Sequence, residues 1–424
     1  MSAEEEADKL RKLEEQQKVV PLRNRINFME TAKGGIKANS LENVCLILEH
    51  DPLLKGKFAY NEFSYETEFM EDSAELMLEH GPLQDEFTPA VQRYIERKYK
   101  VMFTPKLIDA AVTEVSRRNV FNPVINYLNE CYKKWDGVTR VADFLPVYLG
   151  VEKSPVTTLQ TKLFFVGAVA KVLRPETKFD FVLDLVGGQG TGKTTLLKRM
   201  SNGWYTDQFT DFENKDNYGN MMRAWIVNDD EMTATSHSSF EILKKFISAE
   251  ILEYRPAYGR YTVRRYKNFV MARTTNEVTY LKDKTGERRF MPVMVNSMLQ
   301  KKSPITDLPQ GTIDQLWGEF ASYYRDGFRF GLTQEQEQMM AYNREQFMYI
   351  DAEEDAIEQS LAQIKGDFVT SSEIAFKMGV PDIVKNRKLA NKIKYVMDNK
   401  KEWHATQRRI KGVPKRGYTR VKSE

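Results

Sequence analysis

The stretch LDLVGGQGTGKTTLLKRM, residues 183–200, restricts what this chain can become more than any other. A short apolar run enters it, glycines occupy its middle, and a pattern of helical spacing leaves it. Gly187, Gly192, Lys193 and Thr194 fit the spacing G-x-x-x-x-G-K-[ST], with Gly188, Gln189, Gly190 and Thr191 inside and Thr195 following. Glycines let successive backbone N–H groups face one anion with no Cβ in the way, and the next helix turns its positive end to the same point. The spacing therefore predicts a phosphate-binding loop between a strand and a helix. Lys193 would reach the outer phosphate oxygens and Thr194 would ligate Mg²⁺ through its hydroxyl. Strands and helices alternate from here to about residue 300, which predicts an α/β core with a mostly parallel sheet.

If the loop holds ATP, a second strand should end in acids, because Mg²⁺ needs a carboxylate and an attacking water needs a base. MMRAWIVNDDEM answers to that, with a buried strand over residues 224–227 and then Asp229, Asp230 and Glu231. Asp230 is assigned to the metal and Glu231 to the base, with Asp229 the alternative metal ligand. A third strand, YKNFVMARTTNEV, ends in Thr274, Thr275 and Asn276. The Asn276 amide, on a strand between the other two, would orient the water and sense the terminal phosphate. Beyond it, in YLKDKTGERRFMPV, Arg288 and Arg289 precede an apolar strand. Guanidinium groups suit a bidentate grip on phosphate from a neighbouring subunit, or else an intrachain salt bridge. Between the acidic strand and Asn276, a turn at Tyr258, Gly259 and Arg260 followed by Arg264 and Arg265 marks a basic hairpin. Tyr254, Tyr258, Tyr261 and Tyr266 surround it. Cations interleaved with aromatics suit a single nucleic-acid strand, and a subunit-contact hairpin is the alternative.

At 424 residues, 41% hydrophobic and 29% charged, the chain should fold as two to three globular units. No uninterrupted apolar run approaches the ~18–20 residues that span a bilayer. The start, MSAEEEADKLRKLEEQQK, is acidic and then mixed, unlike a signal peptide, so a cytoplasmic location with no membrane partner is expected. Cys45 and Cys131 lie far apart and the four histidines are scattered, which argues against zinc and a disulfide framework. The expected organisation is a solvated tail over 1–19, a small accessory domain over 20–100 and a helical collar over 101–180. The ATPase core follows over 181–330, then a helical connection over 331–365 and a basic winged-helix-like domain over 366–424. Leu41, Val44, Leu46, Ile47 and Leu48 read as one buried helix face in the accessory domain, and Leu107, Ile108, Ala111, Val112 and Val115 as another in the collar.

Charge is unevenly spread. The last 54 residues hold 15 Lys/Arg against 5 Asp/Glu, a net +10, so the preceding 370 carry −7 of the overall +3. One end is built to meet a polyanion. In that tail, Ser371 and Ser372 can cap a first helix, and Leu389, Ile393, Val396 and Met397 stripe a second. A hairpin then turns at Gly412, Val413 and Pro414. Such a unit would bind duplex DNA with its second helix in the major groove and Arg408, Arg409, Lys415, Arg416 and Arg420 on phosphates; a solvated lysine face is the alternative.

Taken in order, YKKWDGVTRVADFL, GGQGTGKTT, WIVNDDE, RPAYGR, RTTN and DKTGERRFMPV resemble the virulence-associated protein E family of phages and mobile genetic islands. That family stands with AAA+-like superfamily 3 helicases and poxvirus-type primase-helicase NTPases. The resemblance covers residues 100–300 well, the N-terminal region loosely and the basic tail hardly at all. It implies a replication ATPase or helicase acting on DNA as a hexameric ring, with ATP and Mg²⁺, an arginine finger between subunits and a host replication protein as a further partner. Onto this chain it carries Lys193 and Thr194 as nucleotide ligands, Asp230 and Glu231 as metal and water residues, Asn276 as sensor, and Arg288 or Arg289 as finger. The family usually has Glu-x-Asp-Glu at the acidic strand, where this chain has Asn228-Asp229-Asp230-Glu231. The departure leaves the metal ligand open between Asp229 and Asp230. Many relatives carry an upstream primase domain, and no paired-acid primase site is evident here, so primer synthesis is not expected.

Overall fold

The computed structural model describes residues 26–256, 259, 261–281, 287–348, 352–364, 366–398, 400, 402–410 and 412–421. The expected tail over 1–19, Tyr258 and Arg260 lie outside the described residues. The chain divides into two compact units, one reaching to Asn276 and including Arg289–Gln334, the other made of Glu277–Arg288 and Glu335–Glu424.

The first unit opens with α1 (Leu41–His50), whose start is fixed by the Ser40 hydroxyl accepting the Asn43 N–H. There follow β1 (Phe58–Asn61), β2 (Glu66–Phe69), β3 (Gly81–Pro82), α2 (Phe87–Tyr99), α3 (Pro105–Ser116) and β4 (Val120–Phe121), with sheet order β3-β2-β1-β4. Val44, Ile47 and Leu48 of α1 pack with Phe58, Phe69, Val91, Ile95, Ile108 and Val112 in one core. The face expected for α1 is shifted, since Leu41 is exposed and Asn43 is buried, its amide bonded to the carbonyls of Met29 and Lys37.

Next come α4 (Pro123–Lys134), α5 (Val141–Leu149) and α6 (Pro155–Leu173). Asn122 and Ser154 cap α4 and α6 through their side chains, and each helix begins on a proline, which has no N–H to leave unbonded there. By length and composition α6 could cross a membrane, contrary to the expectation that no stretch qualifies. Its Leu163, Phe164, Phe165, Val166, Ala168, Val169 and Ala170 are buried in the core of the unit.

The central layer comprises β5 (Val182–Val186), α7 (Lys193–Met200), β6 (Tyr205–Thr206), α8 (Lys215–Met221), β7 (Ile226–Asp229), α9 (Thr233–His237), α10 (Phe240–Ser248), β8 (Ile251–Tyr254), β9 (Val263–Tyr266), β10 (Val270–Thr275), β11 (Phe290–Met294) and α11 (Gln310–Arg325). Five of these strands form one parallel sheet, in the order β11-β5-β10-β7-β6, and β8 pairs with β9 as a separate antiparallel hairpin. Strands β5, β7 and β10 are buried along their whole length, as a parallel sheet covered on both faces requires. The fold is thus mixed α/β around a parallel sheet. Trp225 and Trp317 stack with ring centroids 3.9 Å apart, and their indole N–H groups donate to Ala168 O and Met200 O, which ties α6, α7 and α11 to the sheet.

The second unit holds α12 (Gln334–Glu345, entered at the unit boundary), α13 (Ala352–Ala362), β12 (Phe368–Val369), α14 (Ser371–Lys377), α15 (Arg387–Asp398), β13 (Trp403–Ile410) and β14 (Val413–Arg420). Leu389, Ile393, Val396 and Met397 are the buried stripe of α15, as the spacing predicts. The first helix is capped by Thr370 in a capping box with Glu373, not by Ser371 or Ser372, because the cap must sit one residue outside the helix. Val413 and Pro414 lie on β14, beyond the turn. Two features went unseen in the sequence. Strand β12 adds an edge to the hairpin, and Ile357 and Leu361 of α13 belong to the same core as α15.

In the first unit, Arg273 of β10 and Asp184 of β5 are register partners joined by two hydrogen bonds of 2.8 and 2.6 Å, both at most 1% exposed. Arg273→Ala leaves the carboxylate buried without its counter-charge. It is expected to lower the unfolding free energy by roughly 3–5 kcal/mol in chemical denaturation, with Arg273→Met plus Asp184→Leu recovering most of that.

Candidate functional site

Strand β5 runs into the loop 187–192, and α7 begins at Lys193. Gly187, Gly190 and Gly192 have φ of +150°, +79° and +86°, a region side chains rarely adopt. The glycines divide by what surrounds them. A Cβ on Gly187 would lie 2.4 Å from Val295 O and one on Gly192 2.4 Å from the Pro304 ring, so packing demands both. At Gly188 and Gly190 nothing lies within 4 Å, and the loop is open on that side. Thr191 closes it from within by donating to Gly188 O at 3.1 Å, and the Gln300 amide holds Thr191 O from outside at 3.3 Å. Gln189 is exposed at the loop's tip, and Thr195 sits half-buried on the first turn of α7.

The Lys193 ammonium donates to Gly187 O (2.6 Å), Gly188 O (2.8 Å) and Asn276 Oδ1 (3.1 Å). Burial holds its pKa below the usual lysine range, and the charges of Glu231 and Asp230 act against that shift. β10, which carries Thr274 and leads to Asn276, lies between β5 and β7, so the amide arrives beside the lysine from the neighbouring strand.

Thr194 donates through Oγ1 to Asp230 Oδ1 at 2.7 Å. The same oxygen accepts from Thr274 Oγ1 at 2.7 Å and from Asn228 Nδ2 at 3.1 Å. Three donors thus converge on Oδ1, while Oδ2 accepts no hydrogen bond from the described residues. Asp230 lines an open cleft of about 540 Å³ together with Glu231, Thr233, Asp207, Gln208 and Asn217. Glu231 and Met232 both adopt left-handed backbone, φ +51° and +50°, a strain that non-glycine residues carry mainly at functional sites. The Glu231 N–H is anchored on Thr274 Oγ1 at 3.0 Å, and the Glu231 side chain is exposed. Thr274 therefore positions both acids, a role the sequence reading did not assign.

Asp229 goes elsewhere. It is 2% exposed and accepts from Ala234 N–H (2.8 Å), Thr235 N–H (2.9 Å) and Thr235 Oγ1 (2.6 Å), capping α9. Burial raises its pKa against the pull of those bonds. Of the two acids left open in the sequence, Asp230 is the one the fold brings to Thr194. No group of three or more His, Cys, Asp or Glu side chains suited to a metal occurs among the described residues. A Mg²⁺ site does not require one, since this ion takes one or two protein oxygens and fills its octahedron with water and phosphate. The hydroxyl of Thr194 and the open oxygen of Asp230 are hard oxygen donors of that kind.

The arginines separate into committed and free. Arg289 donates to Ser248 Oγ at 2.9 Å and faces Asp180 at 3.7 Å, whereas Arg288 is exposed and belongs to the second unit. On the hairpin, Arg264 is exposed, 3.6 Å from Glu253, while Arg265 lies over the Tyr65 ring at 3.6 Å and donates to Tyr254 OH at 3.1 Å. Tyr261 and Tyr266 are exposed. In the second unit Arg408 forms a two-pronged pair with Asp367, at 2.8 and 3.0 Å, and Arg420 lies 5.2 Å from the Trp403 ring. Arg409, Lys415 and Arg416 are exposed.

The sequence profile of the Virulence-associated protein E-like domain matches residues 128–349, more than half of the chain. The chain belongs to the virulence-associated protein E-like family. The family match takes in the glycine loop, the acidic strand, Asn276 and both Arg288 and Arg289, and leaves the first three helices and the C-terminal hairpin outside. No curated protein matches the chain. Among solved structures, it is similar to apo structures of the NrS-1 C-terminal region at 12–14% identity. These cover 86% of this chain and 96% of that one, with TM-scores of 0.46, 0.41 and 0.40.

Asp229→Ala removes a buried carboxylate that satisfies two backbone N–H groups. It is expected to lower the unfolding free energy by roughly 1–3 kcal/mol in denaturant titrations, and Asp229→Asn, which keeps one acceptor oxygen, to lose about half as much.

Proposed function

We propose that this protein is a P-loop, AAA+-like ATPase of phage or mobile-element replication that hydrolyses ATP between subunits of a ring and moves on DNA. The observation that carries this reading is the 2.7 Å bond between Thr194 Oγ1 and Asp230 Oδ1, which joins the glycine loop to the acidic strand at the point where a phosphate-bound Mg²⁺ belongs. The N–H groups of the open loop cradle the phosphates, and Lys193 exchanges the carbonyls of Gly187 and Gly188 for phosphate oxygens. Mg²⁺, held by Thr194 and the open oxygen of Asp230, supplies neutralisation of the charge that builds on the transferring phosphoryl group. Asn276, beside Lys193, orients the attacking water. Glu231, exposed in the cleft, takes its proton as the water's oxygen bonds to phosphorus and ADP leaves. Arg288 is the finger presented to a neighbouring subunit, because the Arg289 side chain is engaged by Ser248 and Asp180 within its own unit.

The hairpin supplies the strand contact through Arg264, Tyr261 and Tyr266, whose charge and rings are exposed. A second reading, a nucleotide-switched assembly factor that does not translocate, is favoured by one observation. Arg265 is locked between Tyr65 and Tyr254, which anchors the base of the hairpin. Steady-state ATP hydrolysis with and without single-stranded DNA separates the two. For the motor, DNA should raise the rate several-fold and Glu231→Gln should lower it about 10²–10⁴-fold while sparing nucleotide binding. A turnover indifferent to DNA would favour the switch, and full activity in Glu231→Gln would end the base assignment.

The C-terminal unit reads as a winged helix on duplex DNA. On α15 the exposed side chains include Arg387, Lys388, Asn391, Lys394 and Tyr395, opposite the buried stripe, with Asp398 exposed at the last position. Arg408 and Arg420 are engaged within the unit, so the phosphate contacts fall to Arg387, Lys388, Lys394, Arg409, Lys415 and Arg416. Lys388→Ala with Lys394→Ala is expected to weaken duplex binding and to reduce the slope of log K against log[salt] by about two, whereas Arg408→Ala should leave that slope unchanged and lower the unit's melting temperature.

A further inference from the structure

The proposed mechanism leaves one buried polar side chain without a task. Asn228 is the third residue of β7, 0% exposed, and two positions before Asp230. Asp230 follows directly past the strand's end, within reach of the Asn228 side chain. Its Nδ2 donates to Asp230 Oδ1 at 3.1 Å and to the Tyr205 hydroxyl at 3.0 Å, across the β6–β7 pair. The orientation of the amide follows from the geometry, since Asp230 Oδ1 already accepts from the Thr194 and Thr274 hydroxyls and must meet the amide nitrogen. Tyr205 OH thereby accepts from Asn228. Asp207 pairs with Lys198 of α7 at 3.2 Å, and the Lys198 ammonium lies 5.0 Å from the Tyr205 ring centre. Asn228 therefore joins Tyr205 of β6 to Asp230 just past the end of β7, with the Lys198–Asp207 pair beside the same tyrosine.

Stability alone does not explain this residue. The Asn228 Oδ1 atom is buried and has no hydrogen-bond partner, so the amide is held with half its capacity unmet. A leucine of similar size would bury no unmet polar atom, and buried polar groups that are only partly satisfied weaken a core. A second carboxylate there would face Asp230 in a buried setting and push against its charge, whereas an amide donates to that charge and adds none.

We infer that Asn228 is a positioning residue for Asp230: with Thr194 and Thr274 it holds Oδ1, fixes the rotation of the carboxylate and leaves Oδ2 as the oxygen offered to the metal. Tyr205 holds Asn228 in turn. The inference rests on the proposed nucleotide site and adds to it a residue pair that governs metal use rather than nucleotide binding itself.

The test is binding of a fluorescent non-hydrolysable ATP analogue to the full chain, with Mg²⁺ and with EDTA. The unaltered protein should bind more tightly with Mg²⁺. Asn228→Leu and Asn228→Ala, neither of which can donate, should lose roughly 10–100-fold of that Mg²⁺-dependent gain, as loss of a partner that orients a metal ligand does. Their affinity in EDTA should stay within about twofold. A purely structural role would move both affinities together. An unchanged Mg²⁺-dependent gain in a folded Asn228 variant overturns the inference. If neither variant folds, Tyr205→Phe removes only the hydroxyl that holds Asn228, and an unchanged gain there overturns the inference. Failure of the unaltered chain to bind the analogue at all would instead sink the nucleotide site, a different and visible result.

Discussion

The register of β10 between β5 and β7 is the constraint on which the site depends. At one level of the sheet Arg273 stands opposite Asp184 on one neighbour and opposite Asp229 on the other, with Phe290 under its guanidinium at 4.1 Å. A buried cation flanked by two acids tolerates no slip. Shifting β10 by one residue would turn Arg273 to the other face and leave Asp184 unpaired in the core. The next residue, Thr274, is therefore delivered to Asp230 and Glu231, and Asn276 just past the strand is delivered to Lys193. An ion pair with no part in the chemistry sets where three catalytic candidates meet.

Around that fixed point the acidic strand end divides its labour by geometry. Asp229 ends β7 and turns into the core to cap α9, which forces the chain to leave the strand sharply through two left-handed residues, Glu231 and Met232. That turn is strained, and the Thr274 hydroxyl holds it by accepting the Glu231 N–H. The result is one carboxylate buried for structure, one half-buried beside Thr194, and one exposed in the cleft. Three adjacent acids could not share one environment without opposing one another's ionisation. Separating them is what allows Asp230 to remain an acceptor of three hydrogen bonds while Glu231 keeps access to solvent.

Much of this was legible because short-range chemistry dictates it. The glycine spacing, the apolar strand before it and the helical pattern after it all describe local backbone, and the structure has that strand, loop and helix in those places. The same holds for the buried stripe of α15. What the sequence could not reveal depends on residues distant in the chain. Thr274 reads as part of an ordinary polar turn until β10 is placed beside β7. Asn228 reads as one polar residue beside a run of acids until Tyr205 stands across from it. Asp229 and Asp230 are chemically identical in the sequence, and only the direction in which β7 ends distinguishes them. The cap of α14 was misplaced by one residue because Thr370, Ser371 and Ser372 are all competent caps and the choice rests on where the helix backbone begins.

Basic residues show the same limit most sharply. A run of arginines declares attraction to anions, but each one's availability depends on whether the fold has already given it a partner. Arg265 is taken by two tyrosine rings, Arg289 by Ser248 and Asp180, and Arg408 by Asp367. These three were as good candidates in the sequence as Arg264, Arg288 and Arg409. Moving a paired guanidinium onto a phosphate gains little, because the carboxylate or ring it leaves must be resolvated and the surrounding structure loosened. An exposed and unpaired cation gives up only water and counterions, so it accounts for most of the salt-dependent binding. A surface suited to a polyanion is therefore better drawn from the cations the fold leaves over than from those the sequence displays. On that basis the face of α15, which the hairpin arginines overshadow in the sequence, offers an anion more unengaged charge than Arg408 or Arg420 do.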